Sequence, residues 1–525
     1  MRAWIAAAVI GLSCVCPAYA QSPSSVDEAF KDAQLASAPG AGVALADGAA
    51  RIAAADPALK SLFDAHRDAE ARRRALETVL ASLRAQGAPA ADRARGVAVD
   101  LDQATLAAGE LRRRLDQAFP AFADLTDPAP LAIAQVQALL RPEEALVLIL
   151  PTERGTYVWA ITQGTAVWRR SDLTASGVEA SASRLQAGLR TAGGRGAVDA
   201  ARLGRTAGGF DRASAYALYR ALWEPLEAAL SHSRLVYLVV DGPLRSVPPG
   251  VLVTAAPSGD DRDPAALRGT AWLERRHAFA LLPAVVSLKA ARRADASNSR
   301  GFAGFGDADT RTYPEGSQPK SLAQLPGTRR ELDGLAHALR SPRRAVRLGT
   351  GATEAAVRSA DLSGASVVAF ATHALPAREE TSGVVREPAL VLTPPLRPEG
   401  DDDGLLTASD AARLRLNADL VILSACDTGL DDPNAQGVNS LSRAFLYAGA
   451  RALMVSNWRI RDDVAERLSV RAVTLARRNR QGVAYALHSA ALEMMEDRSD
   501  PSFAHPSQWS SFSVIGDGAV RIGGG

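Results

Sequence analysis

Cysteine is the scarcest residue of this 525-residue chain, with three copies at positions 14, 16 and 426. The first two stand in an N-terminal segment that we expect to be removed, so Cys426 would have no partner for an internal disulfide. No cysteine or histidine pair has the spacing of a zinc site, and a single thiolate cannot build a thiolate zinc site. We therefore expect neither an internal disulfide nor a bound metal.

Basic blocks and phosphate-binding loops are also absent. Lysine occurs only at positions 31, 60, 289 and 320, the formal net charge is +2, and arginines are interleaved with acidic residues. This pattern provides no positive stripe for nucleic acid. The glycine-rich stretch 301–306 lacks dinucleotide spacing and no Gly-Lys-Ser/Thr follows it. No Gly-x-Ser-x-Gly elbow of a serine hydrolase is present. We expect no cofactor and no nucleic-acid partner.

A long apolar run without charges stands at the N-terminus, and no later run reaches the length of a membrane span. Arg2 is followed by an apolar stretch over 4–16 and by Ala-Tyr-Ala at 18–20, which is typical of a secretory signal with its cleavage site. About 13 apolar residues are fewer than the roughly 20 that a transmembrane helix needs. The sequence predicts a cleaved signal peptide over 1–20 and a periplasmic or secreted protein. A membrane anchor and a lipoprotein signal are the alternatives.

The chain is too long for one hydrophobic core, and its pattern changes near residue 140. Segment 21–139 carries the apolar spacing of amphipathic helices, as at Leu76, Val79, Leu80 and Leu83. The frame of a 34-residue tetratricopeptide repeat does not recur in it. We interpret this segment as a helical hairpin or a degenerate repeat region.

Short apolar runs alternate with amphipathic helical segments after residue 140. Strands that are apolar on both faces and alternate with helices are typical of a parallel sheet covered on both sides. The sequence therefore predicts an α/β sandwich with a mostly parallel sheet, preceded by a helical N-terminal region. The runs lie at 145–150, 157–161, 235–240, 367–371, 420–423, 452–455 and 512–515.

Two of these runs lead to residues that can do chemistry together. The run at 367–371 leads to His373, and the run at 420–423 leads to Cys426. Catalytic groups in open α/β sheets gather at the carboxyl ends of the strands. An adjacent imidazole can take the proton of a thiol, whose pKa is otherwise about 8.5. An unpaired thiol in an oxidising compartment is kept either by burial or for a chemical role. On these grounds alone, both roles stay open for Cys426.

Motifs around both residues decide between these roles. They read Phe-Ala-Thr-His at 370–373, Ser-Ala-Cys-Asp-Thr-Gly at 424–429, Ser-Arg-Ala-Phe-Leu-Tyr-Ala-Gly-Ala at 442–450 and Val-Ser-Asn-Trp at 455–458. They resemble the CHAT domain family, which belongs with caspases, separases and gingipain-like peptidases. Weaker matches follow the family order at 239–244, 272–275, 325–328, 387–390, 403–405 and 505–509.

The resemblance implies a caspase-like three-layer α/β sandwich over 140–525. Residues 140–300 would form its N-terminal, non-catalytic half and residues 301–525 its catalytic half. His373 would be the general base and Cys426 the nucleophile. The backbone N–H groups of Ala374 and Cys426 would donate to the oxyanion. Family members often have glycine after the histidine, and an alanine keeps the N–H but restricts the backbone angles.

The function that follows from the resemblance is an exported cysteine endopeptidase acting on a protein or peptide. We expect an activating protein partner to engage the helical region. Asp427, Asp431 and Asp432 would suit a basic residue on the acyl side of the cut bond, with solvated loop charges as the alternative. Asn457 is a further candidate substrate contact. The alternative function is a non-catalytic binding or scaffold protein that keeps the fold.

Overall fold

The computed structural model describes most of the chain after residue 130. The signal peptide predicted at 1–20 and the acidic residues Asp427, Asp431 and Asp432 lie outside the described residues. Within the described ranges, no helix combines the length and the apolar composition that a membrane crossing requires. The described ranges are 26–37, 61–62, 65–66, 68–69, 72–73, 75–76, 79–80, 83, 91–118, 130–190, 209–240, 242–293, 299–313, 322–325, 327–376, 378–379, 385–395, 402–426 and 436–523.

A 13-stranded sheet forms the centre of the fold, and a separate two-stranded hairpin lies beyond its strand β8. The strands are β1 Glu144–Thr152, β2 Gly155–Thr162, β3 Ala166–Ser171, β4 Leu235–Val240, β5 Ala278–Leu281, β6 Gly301–Ala308, β7 Val346–Gly349, β8 Ala365–Leu375, β9 Arg378–Glu379, β10 Val385–Arg386, β11 Ala389–Val391, β12 Leu405–Thr407, β13 Leu420–Cys426, β14 Ala452–Ser456 and β15 Phe512–Gly516.

Helices precede the sheet and alternate with its strands. They are α1 over 26–37, α2 Ala91–Ala118, α3 Ile133–Leu139, α4 Ala175–Arg190, α5 Arg212–Leu222, α6 Glu227–Leu230, α7 Pro264–Arg268, α8 Ser287–Arg293, α9 Gly327–Ala338, α10 Glu354–Ser359, α11 Ala408–Arg413, α12 Gln436–Tyr447, α13 Asp462–Arg478, α14 Val483–Glu496 and α15 Pro506–Trp509. Short 3₁₀ turns join several of them.

The strand order is β12-β11-β8-β13-β14-β15-β5-β4-β1-β2-β3, and β6 joins β8 to β7. The pairs β8–β13, β13–β14, β6–β8, β6–β7, β1–β4, β4–β5 and β5–β15 are parallel. Antiparallel pairs involve the outer strands, together with β14–β15 in the middle. The sheet is therefore mixed but mostly parallel.

Two hydrophobic clusters cover the two faces of the sheet near β8. On one face Ala369 packs with Leu332 of α9 and Leu468 of α13. On the other face Phe370 packs with Phe445 of α12 and Val357 of α10. Successive residues of a strand point to opposite faces, so a strand covered on both sides is apolar at most of its positions. This arrangement confirms the predicted three-layer α/β fold with a helical region before it.

Helix α1 belongs to the same core as the sheet. Phe30 is fully buried, and its ring centroid lies 6.3 Å from that of Trp159 on β2. The side chain of Gln34 both donates to and accepts from the backbone of Leu131, each at 2.9 Å. Helix α1 is thus attached to the sheet at β2, far from β8 in the strand order.

The glycine-rich stretch 301–306 is strand β6, which the sequence patterns did not predict. A Cβ added at Gly306 would lie 2.4 Å from the carbonyl oxygen of Ala371. One added at Gly304 would lie 3.1 Å from Leu332. These glycines therefore let β6 lie close to β8 and to helix α9, and they do not form a phosphate-binding loop.

A buried charge cluster ties the strands together at the edge opposite to the end of β8. Arg451 lies 3.6 Å from Asp419 and 3.4 Å from Asp517. Asp517 also lies 3.0 Å from Arg292, and the backbone N–H of Gly523 donates to Asp419 at 2.9 Å. Burial raises the pKa of Asp419 to about 6, although Gly523 and Arg451 act in the opposite direction.

Replacing Asp419 by asparagine should change how stability depends on pH. The folded pKa of about 6 lies above the ordinary value, so the native state binds this proton more tightly than the unfolded state. Wild-type stability should therefore fall as pH rises through the window from about 4 to about 6, by up to about 3 kcal/mol from this group. The asparagine side chain would stay neutral and could still accept from the backbone N–H of Gly523.

Urea denaturation of both proteins across that pH window measures the effect. We expect a smaller loss of stability in Asp419→Asn than in the wild type. The same loss in both proteins would show that Asp419 does not titrate in this window.

Candidate active site

His373 and Cys426 occupy facing positions on two neighbouring parallel strands. β8 and β13 pair without a register shift from Val367 opposite Leu420 to His373 opposite Cys426. Cys426 is the last residue of β13, whereas β8 continues two residues beyond His373 to Leu375. The sequence predicted both residues at the carboxyl ends of buried strands. Cys426 ends β13, but His373 lies inside β8, which is longer than its apolar run indicated.

The alternation of residues along the strands puts both positions on the same face of the sheet. Ala371 and Ile422 belong to the cluster under α9 and α13. Positions 373 and 426, which lie an even number of residues further along their strands, are therefore on that face. Ala374 belongs to the cluster on the opposite face. The register and the pleat together bring the two candidate catalytic positions side by side.

The imidazole of His373 is buried and oriented by a backbone carbonyl. Its side chain is 7% exposed, and Nε2 lies 2.6 Å from the carbonyl oxygen of Ala323. A carbonyl can only accept, so Nε2 carries the proton of this hydrogen bond. In the neutral ring Nδ1 is then the nitrogen that can accept a proton. The Ala323 carbonyl is a functional group that the sequence analysis missed, because a backbone atom leaves no residue signature.

A buried glutamate contacts β13 two residues before Cys426, on the face of the sheet that carries the site. Glu331 of α9 is 1% exposed. Its carboxylate accepts from the hydroxyl of Ser424, two residues before Cys426, and from the hydroxyl of Ser469 on α13, both at 2.9 Å. Glu331 therefore connects β13 to the two helices that cover it. The sequence contained a signal for Glu331. This glutamate lies on the apolar face of the helix that begins within the motif at 325–328, where it interrupts the apolar pattern.

The outer edge of the sheet next to β8 contains a buried carboxyl group, that of Glu354. β11 pairs with β8 at Ala374 and Leu375. Glu354 accepts from the backbone N–H of Gly404, at 3.3 Å, just before the neighbouring strand β12. Burial, followed by a hydrogen bond with Asp402, raises the pKa of Glu354 to about 8. The edge strands beside the candidate oxyanion donor Ala374 are therefore anchored by a buried carboxyl group whose pKa is raised.

The structure places the other candidate residues as follows. Ala374 is part of β8 and is buried. Asn457 follows β14 and is 3% exposed. Its Nδ2 donates to the carbonyl of Ser510 at 2.8 Å, and its backbone N–H donates to the carbonyl of Ser511 at 2.8 Å. Asn457 thus ties β14 to the turn before β15. Within the described part of the chain, no cluster of three metal-binding side chains occurs.

Replacing Asn457 by aspartate should destabilise the fold. The carboxylate would face the Ser510 carbonyl in a buried position and could not donate to it. Removing one partner of a buried hydrogen bond costs about 1–3 kcal/mol, and more when a charge is buried. We expect thermal denaturation to show a lower melting temperature for Asn457→Asp than for wild type, with Asn457→Ala between them. A melting temperature equal to wild type in Asn457→Asp would contradict the buried contact.

Comparison with known proteins finds sequence matches to one repeat protein in two species. Tetratricopeptide repeat protein 28 of Mus musculus is 36% identical over 123 residues, which are 23% of this chain and 5% of that protein. The same protein of Homo sapiens is 36% identical over 112 residues, or 21% of this chain and 4% of its own length. This chain therefore spans only a small part of the curated relatives that it matches.

Solved structures with a similar arrangement include two of the Saccharomyces cerevisiae separase–securin complex. One matches with a TM-score of 0.41 and 7% identity over 73% of this chain and 30% of that chain. The other matches with a TM-score of 0.43 and 7% identity over 76% of this chain and 31% of that chain.

The CHAT domain model matches residues 212–517. This match contains β8 and β13 with His373 and Cys426, and it covers more than half of the chain. The resemblance seen in the motifs is thereby confirmed, and the protein belongs to the CHAT domain family.

Proposed function

We propose that this protein is an exported cysteine endopeptidase that cleaves peptide bonds with His373 and Cys426. The observation that supports the proposal best is the facing register of these two positions on adjacent parallel strands. The buried imidazole held through Nε2 by the Ala323 carbonyl adds to it. In a histidine held in this way, Nδ1 is the ring nitrogen that would act as the base.

The reaction would begin with proton transfer from the thiol of Cys426 to Nδ1 of His373. The thiolate then attacks the carbonyl carbon of the scissile peptide bond, and the carbonyl oxygen becomes an oxyanion. The Ala323 carbonyl stabilises the imidazolium, because it accepts from Nε2–H more strongly when the ring is charged. The backbone N–H groups of Ala374 and Cys426 are our candidates for donating to the oxyanion.

The intermediate would collapse by expelling the amine, which takes its proton from the imidazolium of His373. This leaves a thioester on Cys426. Water then attacks the thioester, His373 accepts one of its protons, and the carboxylic acid product leaves as the thiolate re-forms. No cofactor enters this sequence, since the proton moves between His373 and the substrate.

The finer parts of the proposal concern substrate and control. Asp427, Asp431 and Asp432 follow Cys426 in the chain and would favour a basic residue on the acyl side of the cut bond. A protein partner that engages the helical N-terminal region would activate the enzyme. Helix α1 packs on the sheet through Phe30, so it would connect that region to the catalytic domain. Export follows from the signal predicted at 1–20.

Labelling of Cys426 by a thiol-reactive peptidyl probe with a basic residue tests the dyad. We expect wild-type labelling to fall at least about a hundredfold in His373→Ala, because general-base assistance is typically worth about 10²–10⁴-fold. Mass spectrometry of the peptide that contains Cys426 reads the labelling, and Cys426→Ala supplies the blank.

A small alkylating reagent run in parallel separates catalysis from recognition. Rapid alkylation that depends on His373 would support the activated thiol even where the peptidyl probe has the wrong side chain. Slow alkylation at the same rate in wild type and His373→Ala would mean an ordinary thiol. That result would favour the alternative function of a non-catalytic CHAT-fold binding or scaffold protein.

A further inference from the structure

The end of strand β6 contains an uncommon backbone conformation beside the candidate base. β6 pairs with β7 at Gly306 and again at Ala308, so Asp307 is an extra residue between the two pairs. Asp307 has a φ of 51°, a left-handed conformation that glycine adopts far more readily than other residues. Such bulges are frequent next to active sites, where they redirect a side chain.

The bulge directs the carboxylate of Asp307 towards the segment that carries Ala323. Asp307 is 4% exposed. Its carboxylate accepts from the side-chain amide of Gln324 at 3.3 Å and from the guanidinium of Arg329 at 3.0 Å. Its backbone N–H donates to the hydroxyl of Thr328 at 3.0 Å. One residue therefore makes three contacts across residues 324–329.

Two further contacts hold backbone carbonyls on either side of Ala323. Thr328 donates its hydroxyl to the carbonyl of Leu325 at 2.7 Å. Thr310, three residues after Asp307, donates its hydroxyl to the carbonyl of Leu322 at 2.9 Å. The carbonyl of Ala323 lies between these two anchored carbonyls and accepts from Nε2 of His373.

We propose that Asp307 is a positioning residue that holds the Ala323 carbonyl against Nε2 of His373, and so keeps the imidazole basic and correctly oriented. The proposal rests on the proposed function of His373 and Cys426. A hydrogen bond from Nε2–H to a carbonyl favours the charged ring. When the carbonyl is displaced, the imidazolium loses this hydrogen bond and becomes less stable. The thiolate of Cys426 forms together with the imidazolium, so it becomes less stable as well. Asp307 does not touch the substrate or the thiol in this account.

Replacing Asp307 by glycine separates this role from a purely structural one. Glycine suits the positive φ, so the bulge is kept and folding is not impaired by the backbone. The carboxylate contacts to Gln324 and Arg329 are lost. Asp307→Asn is the conservative variant, because asparagine also tolerates this conformation and keeps one acceptor oxygen.

Arg340→Gly is the matched control. Arg340 also has a positive φ, of 54°, but it lies past the C-terminal end of α9, away from Ala323. Both glycine variants relieve a strained backbone position, and only one of them removes a contact to the segment before α9. Both variants leave two acidic groups near the site unchanged. Glu331 of α9 accepts from the hydroxyl of Ser424. Asp462 of α13 lies beside Gly327, the first residue of α9.

The measurement is the rate of Cys426 alkylation by iodoacetamide as a function of pH in the full chain, read by mass spectrometry of the peptide that contains Cys426. We expect the midpoint in Asp307→Gly to move upward by about one pH unit towards the free-thiol value of about 8.5. At a pH below both midpoints this lowers the rate about tenfold. Asp307→Asn should fall between Asp307→Gly and wild type. Arg340→Gly should match wild type.

The outcomes distinguish this proposal from the proposed function. If wild type alkylates faster than His373→Ala while Asp307→Gly has the wild-type pH profile, the positioning role is overturned and the dyad stands. If wild type and His373→Ala have the same profile, the activated thiol itself is wrong. If Arg340→Gly shifts the midpoint as much as Asp307→Gly, the effect is a general consequence of the glycine and the positioning role is also overturned.

Discussion

The parallel pairing of β8 with β13 is the constraint on which the rest of the site depends. The pairing is continuous over seven residue pairs, and it ends with His373 opposite Cys426. A slip by one residue would move one of these positions to the opposite face of the sheet. The register is held because both strands are buried on both faces, by α9 and α13 on one side and by α10, α11 and α12 on the other.

Helix α9 and the segment before it supply hydrogen-bond partners for polar side chains next to His373 and Cys426. The Ala323 carbonyl meets His373 before the helix begins, and Glu331 meets Ser424 within its second turn. The same helix packs Leu332 against the sheet where Gly304 and Gly306 of β6 leave room for it. The close approach of β6 to β8 and the placement of the carbonyl beside the imidazole are therefore parts of one packing arrangement.

The two ends of the sheet have different chemistry. At the carboxyl ends of β8 and β13 a buried histidine, a cysteine position and a backbone carbonyl come together. At the opposite edge Arg451 holds Asp419 and Asp517 in a buried charge cluster that joins β13, β14 and β15. The charged cluster thus lies at the strand ends opposite to those that carry His373 and Cys426.

The sequence by itself determined the fold class, the family and the two candidate catalytic positions. Buried strands such as β4 and β13 are short continuous apolar runs, and their length and their content of β-branched residues identify them. The motifs at 370–373 and 424–429 identify the family without any distance. The register that pairs His373 with Cys426 depends on how separate segments pack, and a local pattern does not contain it.

Tertiary structure also decided the features that have no residue signature. Strand β6 was hidden by its glycines, which serve a close approach that exists only once β8 and α9 are in place. The edge strand β3 and the short strand β7 contain arginines among their apolar residues, so no continuous apolar run marks them in the sequence. The carbonyl of Ala323 is a backbone atom, and Asp307 has an uncommon backbone conformation. Both are positioned by contacts between segments that are separated in the chain.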